Sequence, residues 1–265
     1  MGAVAIRRAS VDDYPTFARL FPELRVEEPL PGRDAWATGY VPSTLIAHDD
    51  ANTLGYCFTQ EYVDTGYVRN IVVAAEARRR GVGRALMEAT ARHLRAAEKS
   101  RWRLNVAPQN VAARALYEGL GLRTLYASHA MRVPWRAADA LPSSDEVVEE
   151  LGPARDADLE RLFDLPLGQL AAQRESGRAV LAASRGEQLC GVAVLLPAFP
   201  GAFPFRAVDR GAARRLIEVM HARVGDRPHL NLVIDDDEPL VTLLVGAGGE
   251  RRLDLLHLAG PLPNV

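Results

Sequence analysis

Two cysteines, Cys57 and Cys190, are all that the 265 residues hold, and they stand far apart in apolar, strand-like runs. No disulfide framework and no CxxC motif can be built from them, so both read as buried thiols in a reducing compartment. No uncharged apolar stretch approaches the ~20 residues that span a bilayer. The N-terminus, Met1-Gly2-Ala3-Val4-Ala5-Ile6-Arg7-Arg8, lacks the apolar segment of a signal peptide, and Ile6 stands where a myristoylation site prefers Ser or Thr. The expected location is the cytoplasm, with no membrane partner. An excess of one charge is missing too: 32 Lys and Arg face 34 Asp and Glu, a formal net charge of −2. A dedicated nucleic-acid binder needs a basic surface, so that class is excluded. The 6 histidines show neither HxH nor HExxH spacing, and no metal site is expected. Asp235-Asp236-Asp237-Glu238 has the charge of a calcium loop without its glycine or ligand spacing. An acidic helix start ahead of Pro239 accounts for it.

What is present is an ordinary globular composition, 48% apolar and 25% charged. Periodicity predicts strands at Val4–Arg8, Thr44–His48, Leu54–Gln60, Tyr67–Val73, Arg103–Val106 and Leu122–Val133. Helices are expected from Val11-Asp12-Asp13-Tyr14 to Phe21, from the opening Arg78-Arg79-Arg80-Gly81-Val82-Gly83 to about Lys99 and from Asn110 to Gly119. The second of these carries Leu86, Ala89, Ala91, His93, Leu94 and Ala97 on its apolar face. A Pro-rich segment separates Pro22 from Pro42. The second half repeats the order of the first. Glu149–Arg155, Val180–Ala183, Leu189–Leu196, Arg206–Asp209, a helix to Val224, His229–Ile234, a helix from Asp236 to Val245 and Arg252–Leu258 follow one another. The offset is roughly 145 residues near the start and roughly 126–130 later, as for two tandem copies, the second shorter. The boundaries expected are 1–135 for a first domain, 136–147 for a linker and 148–265 for the second.

The strongest chemical signal is an apolar strand followed by Glu76-Ala77-Arg78-Arg79-Arg80-Gly81-Val82-Gly83-Arg84-Ala85 and a helix. Glycines let backbone N–H groups approach phosphate oxygens, the helix start adds its positive end, and arginines complete a pyrophosphate cradle. A Walker A loop would need Gly-Lys-Ser/Thr, and a dinucleotide fingerprint would need a third glycine where Leu86 stands. What remains is Arg78-x-x-Gly81-x-Gly83. A second element follows: Asn110-x-x-Ala113-x-x-x-Tyr117-x-x-x-Gly121-Leu122.

Over about Ile6–Val133 these two elements, in this order, resemble the GCN5-related N-acetyltransferase (GNAT) family. Its acetyl-CoA signature is Gln/Arg-x-x-Gly-x-Gly/Ala after the fourth strand. Ala75 stands where proline is usual, and Leu122 where the family has Phe. The resemblance implies an α/β (α+β) fold of two tandem GNAT-like domains, each a mixed, mostly antiparallel twisted sheet flanked by helices. It implies acetyl-CoA as cosubstrate, held by Ile71, Val72, Val73, Arg78, Arg79, Arg80, Gly81, Val82, Gly83, Arg84, Ala85, Asn110, Arg114 and Tyr117. The strand Val68–Val73 would pair with the pantetheine arm and splay from Leu104–Val106. A backbone N–H at or beside Val73 would meet the oxyanion, and Tyr117 would be the catalytic acid for the departing thiolate.

Many relatives carry a carboxylate on this strand, where Arg69 and Asn70 stand here. Glu61 and Asp64, acting through water, and His129 are the alternatives for a base. Segment Glu23–Tyr40 is expected to line the acceptor site, with Glu27, Glu28 and Asp34 as acids for a cationic amine. The acceptor would be a small-molecule or peptide amine, and the protein a monomer or homodimer. The second copy is degenerate. Asp209-Arg210-Gly211-Ala212-Ala213 keeps one glycine, Leu243 replaces the tyrosine and Asp236 the asparagine. The alternative to catalysis is a non-catalytic acyl-CoA-binding sensor or scaffold.

Overall fold

The computed structural model describes residues 3–24, 29–50, 52–197, 200–225 and 227–264. Two compact units emerge. One comprises Met1–Asn105, Asn110–Arg123 and Leu258–Val265; the other comprises Val106–Gln109 and Thr124–His257.

In the first unit, strands β1 (Ala5–Arg8), β2 (Thr44–His48), β3 (Thr53–Glu61), β4 (Thr65–Val73) and β5 (Arg101–Val106) lie side by side in that order. The first four are antiparallel; β4 and β5 are parallel. Helix α1 (Tyr14–Leu20) and the single turn α2 (Arg33–Ala35) supply one packing layer. There Phe17 stacks on Trp36 at 4.5 Å and meets Tyr56 of β3 at 5.4 Å. The opposite layer is α3 (Val82–Ala96), which buries Val82, Leu86, Met87, Thr90, Ala91 and Leu94. Of the apolar face expected for it, Ala89 and His93 are only half-buried. Gly66 of β4 makes the close approach of α3 possible: a Cβ there would lie 2.3 Å from Leu94 Cδ1. Helix α4 (Val111–Glu118) follows β5.

The second unit holds β6 (Arg123–Pro134, from Thr124 on), β7 (Val147–Glu150), β8 (Ala179–Arg185), β9 (Gln188–Leu196), β10 (Gly201–Ala207), β11 (His229–Asp235) and most of β12 (Glu250–Pro261). Helices α5 (Asp156–Leu162) and α6 (Gln169–Glu175) cover one core with Leu159, Leu170, Val180 and Val192. Helices α7 (Arg210–Val224) and α8 (Glu238–Gly246) cover a larger one with Phe205, Leu216, Met220, Leu232 and Leu244.

Two boundaries differ from the sequence reading. Strand β6, expected to close the first domain, pairs antiparallel with β11, from His229 opposite Pro134 to Asp235 opposite Ser128. The place beside β5 goes to β12, whose end, from Leu258, belongs to the first unit. The stretch 136–147 is not a free linker. Its helical turn Trp135–Ala140 and the residue after it bury Ala137, Ala138 and Leu141 in the core of the second unit. Their small apolar side chains fit beneath α7, whose Arg214 donates to the Leu141 carbonyl at 2.8 Å. Among the described residues no helix is long and apolar enough to cross a membrane.

Candidate active site

The first unit has an open edge where two parallel strands part. Pairing of β4 with β5 runs from Thr65–Arg101 to Val68–Leu104. Beyond it β4 continues to Val73. On its other side β4 stays paired with β3 as far as Gly55–Val73, with one irregularity. Phe58 faces Asn70 and Thr59 faces Val68, so Arg69 is an extra residue, a bulge that turns the strand. The sequence did not announce this bulge. It leaves the backbone of residues 69–73 facing the gap, Ile71, Val72 and Val73 among them.

The chain leaves this edge through a 3-10 turn at Ala75–Ala77. Arg79 has φ 65° and Gly81 φ 80°, both in the left-handed region. Gly81 is the N-cap of α3 and no side chain caps the helix, so its first amides point outward without a side-chain acceptor. Val82 is buried, and Ala85 closes the first turn by donating to the Gly81 carbonyl at 3.0 Å.

The arginines of this loop are less available than a cradle would need. Arg78 pairs with Glu23 at 2.8 Å and donates to the Val73 carbonyl at 3.2 Å. Arg80 pairs with Asp49 at 3.2 Å, tying the loop to the β2–β3 turn. Arg84 lies 3.7 Å from Glu88, one helical turn on. Arg79 is exposed.

Tyr117 is 5% exposed on α4. Burial holds its hydroxyl well above the usual phenol range, and the nearby Cys57 adds to the shift. The thiol of Cys57, fully buried and beside Thr90, is itself pushed up to about 12 by burial. It is a protonated core thiol, not a nucleophile. Asn110 caps α4, its Oδ1 accepting from the Ala113 amide at 3.2 Å. Arg114 faces Glu118 at 3.8 Å.

The three candidate bases fall elsewhere. Glu61 is held by His93 at 3.2 Å and Lys99 at 3.8 Å. Asp64 Oδ1 accepts from the Thr65 hydroxyl at 2.8 Å, in the turn that starts β4. Thr65 and Val73 are eight residues apart, about 26 Å of extended strand. His129 lies in the second unit against Asp254, at 2.7 Å, and Arg251. Glu27 and Glu28 lie outside the described residues, and Asp34 is exposed.

In the second unit the corresponding parallel pair stays closed. Strands β10 and β11 pair at Gly201–Asn231 and Ala202–Leu232 and, past an irregularity, again at Phe205–Ile234, and an Arg206–Asp235 ion pair follows directly. The start of α7 is filled by its own chain. Asp209 Oδ1 accepts from the Ala212 amide at 2.9 Å, and its carboxyl is held below the usual range by that bond and by Arg185. Gly211 is pressed against the chain: a Cβ there would lie 2.7 Å from Ser144 Cβ. Arg210 is engaged by Asp237 at 2.5 and 2.7 Å. Asp237, not Asp236, caps α8, one residue later than expected.

Residues 5–122 match the model of the acetyltransferase (GNAT) family. Among curated proteins no sequence matches. Solved structures share the fold along the whole chain. A candidate acetyltransferase of Pyrococcus horikoshii superposes with a TM-score of 0.71 at 15% identity, over 97% of this chain and 89% of its own. A GCN5-related N-acetyltransferase from Sphaerobacter thermophilus gives 0.64 at 14%, over 98% and 96%. A tandem GNAT protein from the clavulanic acid biosynthesis pathway gives 0.62 at 14%, over 99% and 100%. By its motif order, its parting parallel strands and the family match, the segment 5–122 of this protein is a GNAT-family domain.

Proposed function

We propose that the first unit moves an acetyl group from acetyl-CoA to a primary amine, on a small molecule or a peptide. The observation that carries this reading is the end of β4–β5 pairing at Val68–Leu104, which leaves an unpaired backbone edge leading to the uncapped start of α3. Backbone groups of Ile71 and Val73 would pair with the pantetheine amides. The amides at Gly81–Ala85 would receive the pyrophosphate, with Arg79 beside them and Arg78, Arg80 and Arg84 recruited as their carboxylate partners release them.

The amine nitrogen attacks the thioester carbonyl. A C–N bond forms, and a backbone N–H at Val73 or its neighbour stabilises the oxyanion. The nitrogen loses its extra proton to water. The C–S bond breaks, Tyr117 gives its phenolic proton to the thiolate, and solvent reprotonates Tyr117. Its raised pKa keeps that proton in place at neutral pH. The second unit, with Asp209 filling the start of α7, has a supporting role without its own CoA site. Free Cys57 and Cys190 fit a reducing cytoplasm.

The test is incubation with acetyl-CoA and a panel of amines, reading free thiol and the mass of the acetylated product. Thiol release that depends on the amine is expected. Tight acetyl-CoA binding with no release under any amine would favour the sensor or scaffold reading instead.

A further inference from the structure

Many arginines of the first unit are engaged by its own acids. Arg7, Arg19, Arg78, Arg80, Arg84 and Arg114 each face a carboxylate of the chain. Among the described residues no carboxylate pairs with Arg69; its guanidinium lies over the Tyr67 ring, 5.6 Å from the centroid. It is also the bulged residue of β4 and the first past the last β4–β5 pair, at the mouth of the open edge.

In the parallel register Tyr67 stands beside Arg103, and neighbours in register share a face. Arg101, two residues before, alternates onto that same face. Glu61, the one acid in strands β3, β4 and β5, turns to the opposite face, where His93 of α3 holds it. The face opposite α3 therefore carries Arg69 and Arg101 with no carboxylate of β3, β4 or β5 beside them. The phosphates of the cosubstrate are not the anion that Arg69 serves. Four residues of strand separate it from Val73, about 13 Å before the loop at Gly81 begins.

We infer that Arg69 sets the acceptor class: the amine acetylated here also carries a carboxylate, which the guanidinium of Arg69 receives in a two-pronged, charge-assisted pair. Resting on the proposed acetyl transfer, this gives the site an anionic complement to the amine that reacts. Arg69 is a specificity residue with no part in the proton transfers.

The experiment compares alanine and glutamate with their carboxamides and with putrescine as acceptors, in the full-length wild type, Arg69→Gln and Arg69→Lys, with acetyl-CoA binding followed separately by calorimetry. In the wild type, kcat/KM for an amino acid should exceed that for its carboxamide about tenfold or more. The ratio should fall toward one in Arg69→Gln and survive in part in Arg69→Lys, with acetyl-CoA affinity kept throughout. Acceptance of putrescine or the carboxamides as readily as the amino acids, or a ratio unchanged in Arg69→Gln, would overturn the inference and leave acetyl transfer standing. Should Arg69→Gln fail to fold, the wild-type ratio and Arg69→Lys decide. Absence of acetyl-CoA binding in the wild type would remove both readings together.

Discussion

Gly83 of α3 sits against Leu116 of α4: a Cβ on the glycine would stand 3.3 Å from Leu116 Cδ2 and 3.8 Å from Val73 Cγ2. The glycine therefore lets the helix carrying Tyr117 approach the start of α3, besides any room it leaves for a phosphate. Gly81 is the opposite case, with nothing within 4 Å of an added Cβ but a φ of +80°.

The two glycines should separate on mutation. Gly81→Ala meets no atom but must hold a left-handed backbone, a cost of about 1–2 kcal/mol. Gly83→Ala presses on the end of a flexible side chain while gaining up to about 1 kcal/mol of helix propensity, so it should be nearly neutral. Thermal melts check both. Calorimetry on a folded Gly83→Leu protein, whose bulk would enter the space of the phosphate, should show weaker acetyl-CoA binding; unchanged affinity would argue against backbone contact with the pyrophosphate at this position.

Tyr117→Phe should lower turnover about 10²–10⁴-fold with little change in acetyl-CoA affinity. A general acid must be protonated, so activity falls as pH rises through its pKa. Because burial raises that pKa, the descending limb assigned to Tyr117 should lie above the ordinary tyrosine value of about 10. A limb near 8, or full activity in the Phe variant, would assign the proton donor elsewhere.

Saturating acetyl-CoA should fill one site per chain. The start of α3 has no side-chain cap, whereas Asp209 already occupies the start of α7. A titration with two equivalent sites would contradict this.

The chain end should be needed by the first unit. Leu258 and Ala259 are buried there, the Leu262 amide donates to the Ser100 carbonyl at 3.1 Å, and a Cβ on Gly260 would lie 2.6 Å from the Gly121 carbonyl oxygen. A fragment of residues 1–135 should therefore lack cooperative unfolding. In the intact chain, Gly260→Val should destabilise the first unit by several kcal/mol, because backbone must move to admit it.

Arg7 holds Asp13 through two hydrogen bonds of 2.6 and 2.7 Å and so lowers its pKa. That contribution is fully present above the unfolded carboxylate value of about 4 and is lost as pH falls through the lower folded value. Stability of the wild type should drop across this acid window more steeply than that of Asp13→Asn. The variant itself should be about 1–3 kcal/mol less stable at neutral pH, as chemical denaturation can measure.

Local pattern was enough for most elements. Thr44–His48 holds a short apolar run, Leu45-Ile46-Ala47, flanked by turn residues, and it forms β2 over that very span. Asn110 caps its helix because its short side chain reaches the Ala113 amide, a local interaction that sequence spacing reveals. The glycine–arginine loop was legible for the same reason: a strand, a left-handed glycine and a helix start are neighbours in sequence. Helix α6 has no signature in the sequence, since its seven residues mix apolar and polar positions too briefly to show a period.

Strand partners, ion pairs and the distances between distant groups came only from the tertiary structure. A strand's two-residue period says which face is apolar but not which strand lies alongside, so Arg123–Pro134 could satisfy its pattern next to β11 as well as next to β5. The carboxylates Glu23 and Asp49 that hold Arg78 and Arg80 lie 55 and 31 residues away in sequence, and only folding brings them together. The same holds for the candidate bases. Glu61 and Asp64 are near β4 in sequence, but an extended strand carries its two ends about 26 Å apart, and the end they occupy is not the one that opens.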